Sequence, residues 1–271
     1  MHRSIAVGMG GAGSGQALAW ATEEAERTGS RLILLHVCVP GSALDGISGD
    51  PTPAQVELFN PGLARALTST RARLGGRRAT LKIRSGEPAD RLAAASSGVG
   101  LLVIGAGEGG RTVRRILRHT FCPVVVARPA PADSAAPFAG RVVAAVDESV
   151  AGHIALEFAF SYAAEHHFPL AAVNVAATDQ AASAARDLLS AELEPWVRKF
   201  PDVPAEIVAR RGSVPDELIR VGGGVRLLVV GDKRRGVIGR ARTGDVPAMV
   251  ASEATCPVAV VPVQRREGVQ L

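Results

Sequence analysis

The sequence predicts an α/β fold built twice, as two parallel sheets with helices on both faces. Three observations carry this. Short apolar runs alternate with helical patterns along the whole chain. The same series of segments occurs twice, in the same order. The apolar residues are Val, Leu, Ile and Ala, with aromatics at only 4% of a chain that is 47% hydrophobic; a sheet covered on both faces takes that composition. The 271 residues suit two domains of ordinary size.

The elements follow in pairs. Ser4-Ile5-Ala6-Val7 and Val142 to Val146 are first strands, each running into a turn and then a helical pattern. Ala17, Leu18, Ala21 and Ala25 form one apolar stripe, and Ala155, Leu156, Ala159 and Ala163 form its counterpart. Spacings of three and four place each set on one helix face. Second strands follow at Leu32 to Val37 and Leu170 to Val175. Gly86 and Gly212 open turns before helices at Pro88 to Ala95 and Pro215 to Val221. Leu101 to Gly105 matches Leu227 to Gly231, and Cys122-Pro123-Val124 matches Cys256-Pro257-Val258. Alternation of this kind gives a parallel sheet with right-handed crossovers. The domains are expected at residues 1–130 and 138–265, with a Pro-rich linker at Arg128 to Gly140.

The register between copies is uneven. Val175 lies 138 residues after Val37, Gly231 lies 126 after Gly105, and Cys256 lies 134 after Cys122. Copy one therefore has about 12 extra residues before Gly86 and lacks 8 between Gly105 and Cys122. The extra residues are expected at Pro40 to Pro61 as an exposed loop, because that stretch is rich in Gly, Pro, Ser and Asp.

Composition excludes several classes. Cys38, Cys122 and Cys256 are too few and too far apart for a disulfide framework or a metal cluster, and are expected as buried thiols. No apolar stretch reaches the roughly 20 residues of a membrane span. The opening residues lack a basic region followed by a long apolar run, so a cytoplasmic location is expected. The net charge is +5, with arginines grouped at Arg77-Arg78, Arg111 to Arg118 and Lys233 to Arg242. No stacking aromatics or groove-reading motif accompany them, so no nucleic acid is expected as partner. No nucleophile, base and acid are spaced for catalysis, and no enzyme is expected. His166-His167 reads as an exposed pair at a helix end. Glu192 and Glu194 read as solvent-facing.

Ligands of such sheets sit beyond the carboxyl ends of the strands, where the strand order reverses. Two segments per copy qualify: the turn after strand one and the loop after strand four. Gly8, Gly10 and Gly13 satisfy the spacing G-x-G-x-x-G. Strand two then ends His36-Val37-Cys38 with no carboxylate for a ribose, so a dinucleotide is not expected. The loop Gly231 to Val246 is the better phosphate candidate. It carries five Lys/Arg residues and several glycines, and it leads into a helix over Val246 to Glu253 whose amino end would face an anion.

Ser14-Gly15-Gln16-Ala17-Leu18, Leu34-Leu35-His36-Val37, Gly86-Glu87-Pro88, Val103-Ile104-Gly105 and Arg118-His119-Thr120-Phe121-Cys122-Pro123-Val124 resemble, in order, the motifs of the universal stress protein family. The resemblance covers nearly the whole chain as a tandem pair. It implies two Rossmann-like domains of the adenine nucleotide alpha hydrolase-like type, each with a five-stranded parallel sheet, arranged as an internal pseudo-dimer. Family members often pair through their last strands, here Pro123 to Ala127 and Pro257 to Val261. A homodimer is a further expectation.

ATP-binding members carry G-x-x-G, nine further residues and G-[S/T], with an Asp after strand one and a Val ending strand two near the adenine. Carried onto copy two, the resemblance gives Asp147, Val175, Gly231, Arg234, Gly244, Asp245 and Val246 as the cofactor-binding set. Arg234 replaces the second Gly and Asp245 replaces the hydroxyl residue. Asp245 puts a carboxylate beside the phosphates, unless Mg²⁺ intervenes. Copy one has Met9 in the Asp position and lacks the phosphate loop. The expected function is a stress-response or regulatory interaction module, non-catalytic, with ATP binding reduced or lost and with protein partners. The alternative is an adenine-nucleotide binder that takes ATP, with Mg²⁺, in copy two.

Overall fold

The computed structural model describes residues 4–47, 49–107, 110–129, 135–233 and 245–263. The chain divides into two compact units, Met1–Arg128 and Pro129–Leu271, here unit 1 and unit 2.

Unit 1 contains strands β1 (Ile5–Met9), β2 (Leu32–Cys38), β3 (Ala79–Ser85), β4 (Leu101–Gly105) and β5 (Val124–Ala127). Its helices are α1 (Ser14–Thr28), α2 (Pro53–Glu57), α3 (Pro61–Leu74), α4 (Pro88–Ala95) and α5 (Arg111–His119), with a 3-10 turn at Ser96–Gly98. The sheet order is β3-β2-β1-β4-β5 and every pairing is parallel. Unit 2 repeats this plan with β6 (Val142–Ala145), β7 (Leu170–Ala176), β8 (Ala205–Arg211), β9 (Leu227–Asp232) and β10 (Val258–Pro262). Its helices are α6 (Val150–His166), α7 (Asp179–Lys199), α8 (Val214–Val221) and α9 (Val246–Glu253). The order β8-β7-β6-β9-β10 is again wholly parallel.

The apolar runs form strands because both sheet faces are covered. Val7, Leu34, Leu81, Val103, Val143, Ala172 and Val229 are all buried. The expected stripe of α1 is buried at Ala17, Ala21 and Ala25, and that of α6 at Ala155, Leu156, Ala159 and Ala163. All three cysteines are buried, and none of them is in a disulfide. No helix among the described residues is long and apolar enough to cross a membrane.

Three local expectations need correction. Pro40 to Pro61 is not only a loop. It contains α2, whose start is fixed by a capping box between Thr52 and Gln55, and it buries Leu44 and Val56. Capping supplies acceptors for helix N–H groups that composition alone does not reveal. His166 is buried between the Tyr162 ring at 4.0 Å and the Phe168 ring at 5.8 Å. Only His167 is exposed, and it ends α6 in the left-handed region at φ 55°. Glu192 is half-buried and lies 3.5 Å from His153 Nε2.

Candidate functional site

The carboxyl ends of β6, β7 and β9 in unit 2 enclose a cavity of about 320 Å³. The geometry starts with Asp147, just past β6. Its Oδ1 accepts hydrogen bonds from Ser149 N, at 3.1 Å, and from the Ser149 hydroxyl. This local turn fixes Ser149 as the cap of α6, where its Oγ accepts from Gly152 N at 3.2 Å. Asn174 Nδ2, from β7, donates to the Val146 carbonyl at 2.9 Å and ties the two strand ends together.

Two glycines let the walls close. A Cβ on Gly231 would overlap the carbonyl of Ala151, and one on Gly152 would overlap the carbonyl of Asp147. Gly231, at the end of β9, therefore has a packing role whether or not a ligand is bound. Unit 1 shows the same contact, since a Cβ on Gly105 would stand 2.5 Å from the carbonyl carbon of Gly13.

Lys233, immediately after β9, donates from Nζ to Asp147 Oδ2. Burial works to raise the Asp147 carboxyl. The Lys233 ammonium and the Ser149 donors outweigh it and hold the group below the usual carboxylate range. Asp147 therefore remains ionised at neutral pH, with both oxygens engaged by the protein.

Asp245, Val246 and Pro247 stand at the amino end of α9 and line the same cavity. The Asp245 side chain caps no helix N–H. Its carbonyl accepts from Met249 N at 2.9 Å. Pro247, inside the first turn, has no N–H to offer. This amino terminus thus presents few free donors beside one carboxylate, which is a poor setting for an anion.

Of the residues expected in copy two, the structure brings together Asp147, Val175, Gly231, Asp245 and Val246 around one cavity. Arg234 and Gly244 lie outside the described residues, as does most of the loop between Gly231 and Val246. Sequence reasoning missed Asn174, Asp232, Lys233, Val214 and Leu218, which also line the cavity. Asn174 and Lys233 had a usable signal, because each falls at the carboxyl end of a strand next to the switch point. Val214 and Leu218 had none beyond the apolar face of α8.

Unit 1 keeps Val37 and Gly105 where unit 2 has Val175 and Gly231, but differs at the turn after strand one and in the loop after strand four. Met9 stands where Asp147 does, and its carbonyl is 2.9 Å from His36 Nδ1. Helix α1 has Gly13 as its N-cap residue, with no side-chain cap. The small Gly8 is used by packing: a Cβ there would meet Leu92 Cδ2 at 3.1 Å. Gly8 therefore has a packing role independent of any ligand. Helix α5 starts six residues after the end of β4, whereas α9 starts fourteen residues after the end of β9 at Asp232.

Fold and site together define a tandem, doubly wound α/β protein with a ligand-type crevice at the switch point of its second unit. The family model for the universal stress protein family matches this chain twice, at residues 1–128 and 139–262. The chain belongs to the universal stress protein family. Among curated relatives, a universal stress protein of Mycobacterium tuberculosis is 27% identical over 179 residues, covering 59% of this chain. That match spans 60% of the relative, less than two thirds of its length. A universal stress protein of Mycolicibacterium smegmatis is 26% identical over 277 residues, covering 92% of each chain. Among solved structures, a universal stress protein from Archaeoglobus fulgidus superposes with a TM-score of 0.69 at 15% identity, covering 98% of each chain. At that identity the likeness concerns the fold.

Proposed function

We propose that this protein is a non-catalytic stress-response protein in which unit 2 binds an adenine nucleotide and unit 1 binds none. The carrying observation is the cavity at the carboxyl ends of β6, β7 and β9, lined by Asp147, Val175, Gly231, Asp245 and Val246. Its volume suits a base and sugar, and its walls are mainly Val, Ala and Leu. The base lies against the apolar walls near Val175, with Asp147 at its edge. The phosphates point toward α9, where Asp245 opposes them.

This reading favours the nucleotide alternative over an interaction-only protein for unit 2. Unit 1 has no matching Asp and no phosphate loop. Its contribution is to present a surface to protein partners. Mg²⁺ fits the arrangement only as a companion of the phosphates, beside the Asp245 carboxylate that lines the cavity.

Calorimetric titration of the full chain with MgATP, AMP and adenosine tests this. Binding of at least one of them should be abolished by Val175→Phe, which fills the cavity. No heat with any of the three, or binding that survives Val175→Phe, overturns the assignment.

A further inference from the structure

We propose that the outer face of α5 in unit 1 is a docking surface for an acidic segment of a partner protein. This rests on reading unit 1 as the interaction half. Arg111, Arg114, Arg115 and Arg118 fall at i, i+3, i+4 and i+7, which places them on one face of the helix. All four are exposed, while Val113, Ile116 and Leu117 are buried on the opposite face. The row spans about 10 Å at 1.5 Å per residue.

Among the described residues, Arg115 alone of the four has a carboxylate partner. Its Nε and one terminal nitrogen donate to the two oxygens of Asp90 at 3.0 and 2.8 Å. Glu87 lies 3.8 Å away. That fork-to-carboxylate pair is the contact that Arg111, Arg114 and Arg118 can offer to a partner.

Stability accounts for only part of the row: Arg115 is paired with Asp90, and Arg118 stands in the last turn, where the helix dipole favours a cation. Arg111 and Arg115, and Arg114 and Arg118, are like charges one turn apart, which repel. Arg111 sits in the first turn, where the helix dipole disfavours a cation and where there is no acidic residue. The duplication supplies an internal control. Helix α9 keeps the buried positions as Val250 and Ala251, opposite Ile116 and Leu117. At the four arginine positions it carries Asp245, Ala248, Met249 and Ser252. The scaffold therefore does not require the arginines. Unit 1 holds 16 Lys and Arg against 9 Asp and Glu, a net of +7, and unit 2 holds 15 against 17, a net of −2. The excess cation is confined to the unit that lacks the nucleotide loop.

An acidic protein segment fits better than nucleic acid. Phe121, 59% exposed, stands two residues past α5. One exposed aromatic is a fitting anchor for a protein contact, whereas a nucleic-acid strand calls for a series of stacking platforms.

The test uses the full chain and a fluorescent helical peptide with glutamates at i, i+3, i+4 and i+7, followed by anisotropy. The triple variant Arg111→Gln, Arg114→Gln, Arg118→Gln should bind at least about tenfold more weakly. Arg31→Gln, Arg65→Gln, Arg77→Gln removes the same charge from exposed sites elsewhere on unit 1 and should change binding less than about twofold. The proposal is overturned if both triple variants lose binding equally, if the peptide does not bind, or if single-stranded DNA of equal charge binds more tightly than the peptide. Thermal melts of both variants should match the parent, since all six side chains are exposed. An unchanged MgATP titration in the α5 variant keeps this outcome separate from that of the unit 2 cavity.

Discussion

Lys233 Nζ donates a hydrogen bond to Asp147 Oδ2, joining residues 86 apart in sequence at the rim of the unit 2 cavity. The two residues follow β9 and β6, neighbouring parallel strands, so the pair links the strand ends at the switch point. The acid that the family pattern places near a base is thus already satisfied by this chain's own cation.

The pair's stability effect has a defined pH window. Asp147 is held below its ordinary value of 3.8 when folded. The stabilisation is therefore fully present above about 3.8 and is lost as pH falls through the lower folded value. With the Asp147 side chain 47% exposed and that of Lys233 35% exposed, solvent screening limits the gain to about 0.5–1 kcal/mol. Lys233→Met should lower stability by that amount at pH 7. In denaturant titrations the difference should shrink as pH falls below 3.8.

Asp245 should set the phosphate preference of the cavity. Like charges about 4 Å apart cost roughly 1–4 kcal/mol at dielectrics of 80 to 20, and each 1.4 kcal/mol is about tenfold in affinity. Asp245→Ser should tighten MgATP at least about fivefold while leaving adenosine within about twofold. Equal gains for both ligands would remove Asp245 from the phosphate end.

Gly231→Ala tests the packing role of that glycine. The added Cβ meets the Ala151 carbonyl, which is backbone and cannot swing aside. Overpacking of this kind costs about 1–3 kcal/mol. The variant should melt several degrees lower even without nucleotide. An unchanged melting temperature would assign Gly231 to the ligand alone.

Asp50 should matter more than its place in a surface insert suggests. Its Oδ1 accepts from Leu81 N, on edge strand β3, at 2.9 Å and from Arg71 at 3.0 Å. It therefore satisfies a backbone donor that an edge strand would leave free. Asp50→Ala should cost about 1–2 kcal/mol and should speed hydrogen exchange at Leu81.

The order of elements was legible because period and repetition are local properties of sequence. Helices at Pro88–Ala95 and Val246–Glu253 begin with Pro at an early helical position, and both bounds were read correctly. The site was legible only as far as strand ends and the family resemblance reach. Asp147 and Val175 come from the family resemblance, which places an Asp after strand one and a Val at the end of strand two. The contact of Lys233 with Asp147 comes from neither, because it needs two segments 86 residues apart to meet. His166 was misread for a related reason: its burial comes from Tyr162 and Phe168 rings, not from its position at the end of α6. Helix α2 was hidden in a turn-rich stretch, because a capping box of Thr52 and Gln55 acts against composition.

Cys122 gives the last prediction its sign. Burial pushes its thiol from an ordinary 9.0 up to about 12, against weaker help to the thiolate from backbone groups of Leu102 and Cys122 itself. The folded state therefore keeps the proton while the unfolded chain releases it above pH 9. Stability is unaffected below pH 9 and falls between 9 and 12, by about 1.4 kcal/mol per pH unit for one such group. Cys122→Ala should flatten that part of the stability profile while costing some core packing at every pH. The native thiol should also resist iodoacetamide at pH 8, since alkylation needs the thiolate and access to it. Rapid labelling of Cys122 in the folded protein would contradict both the burial and the raised pKa.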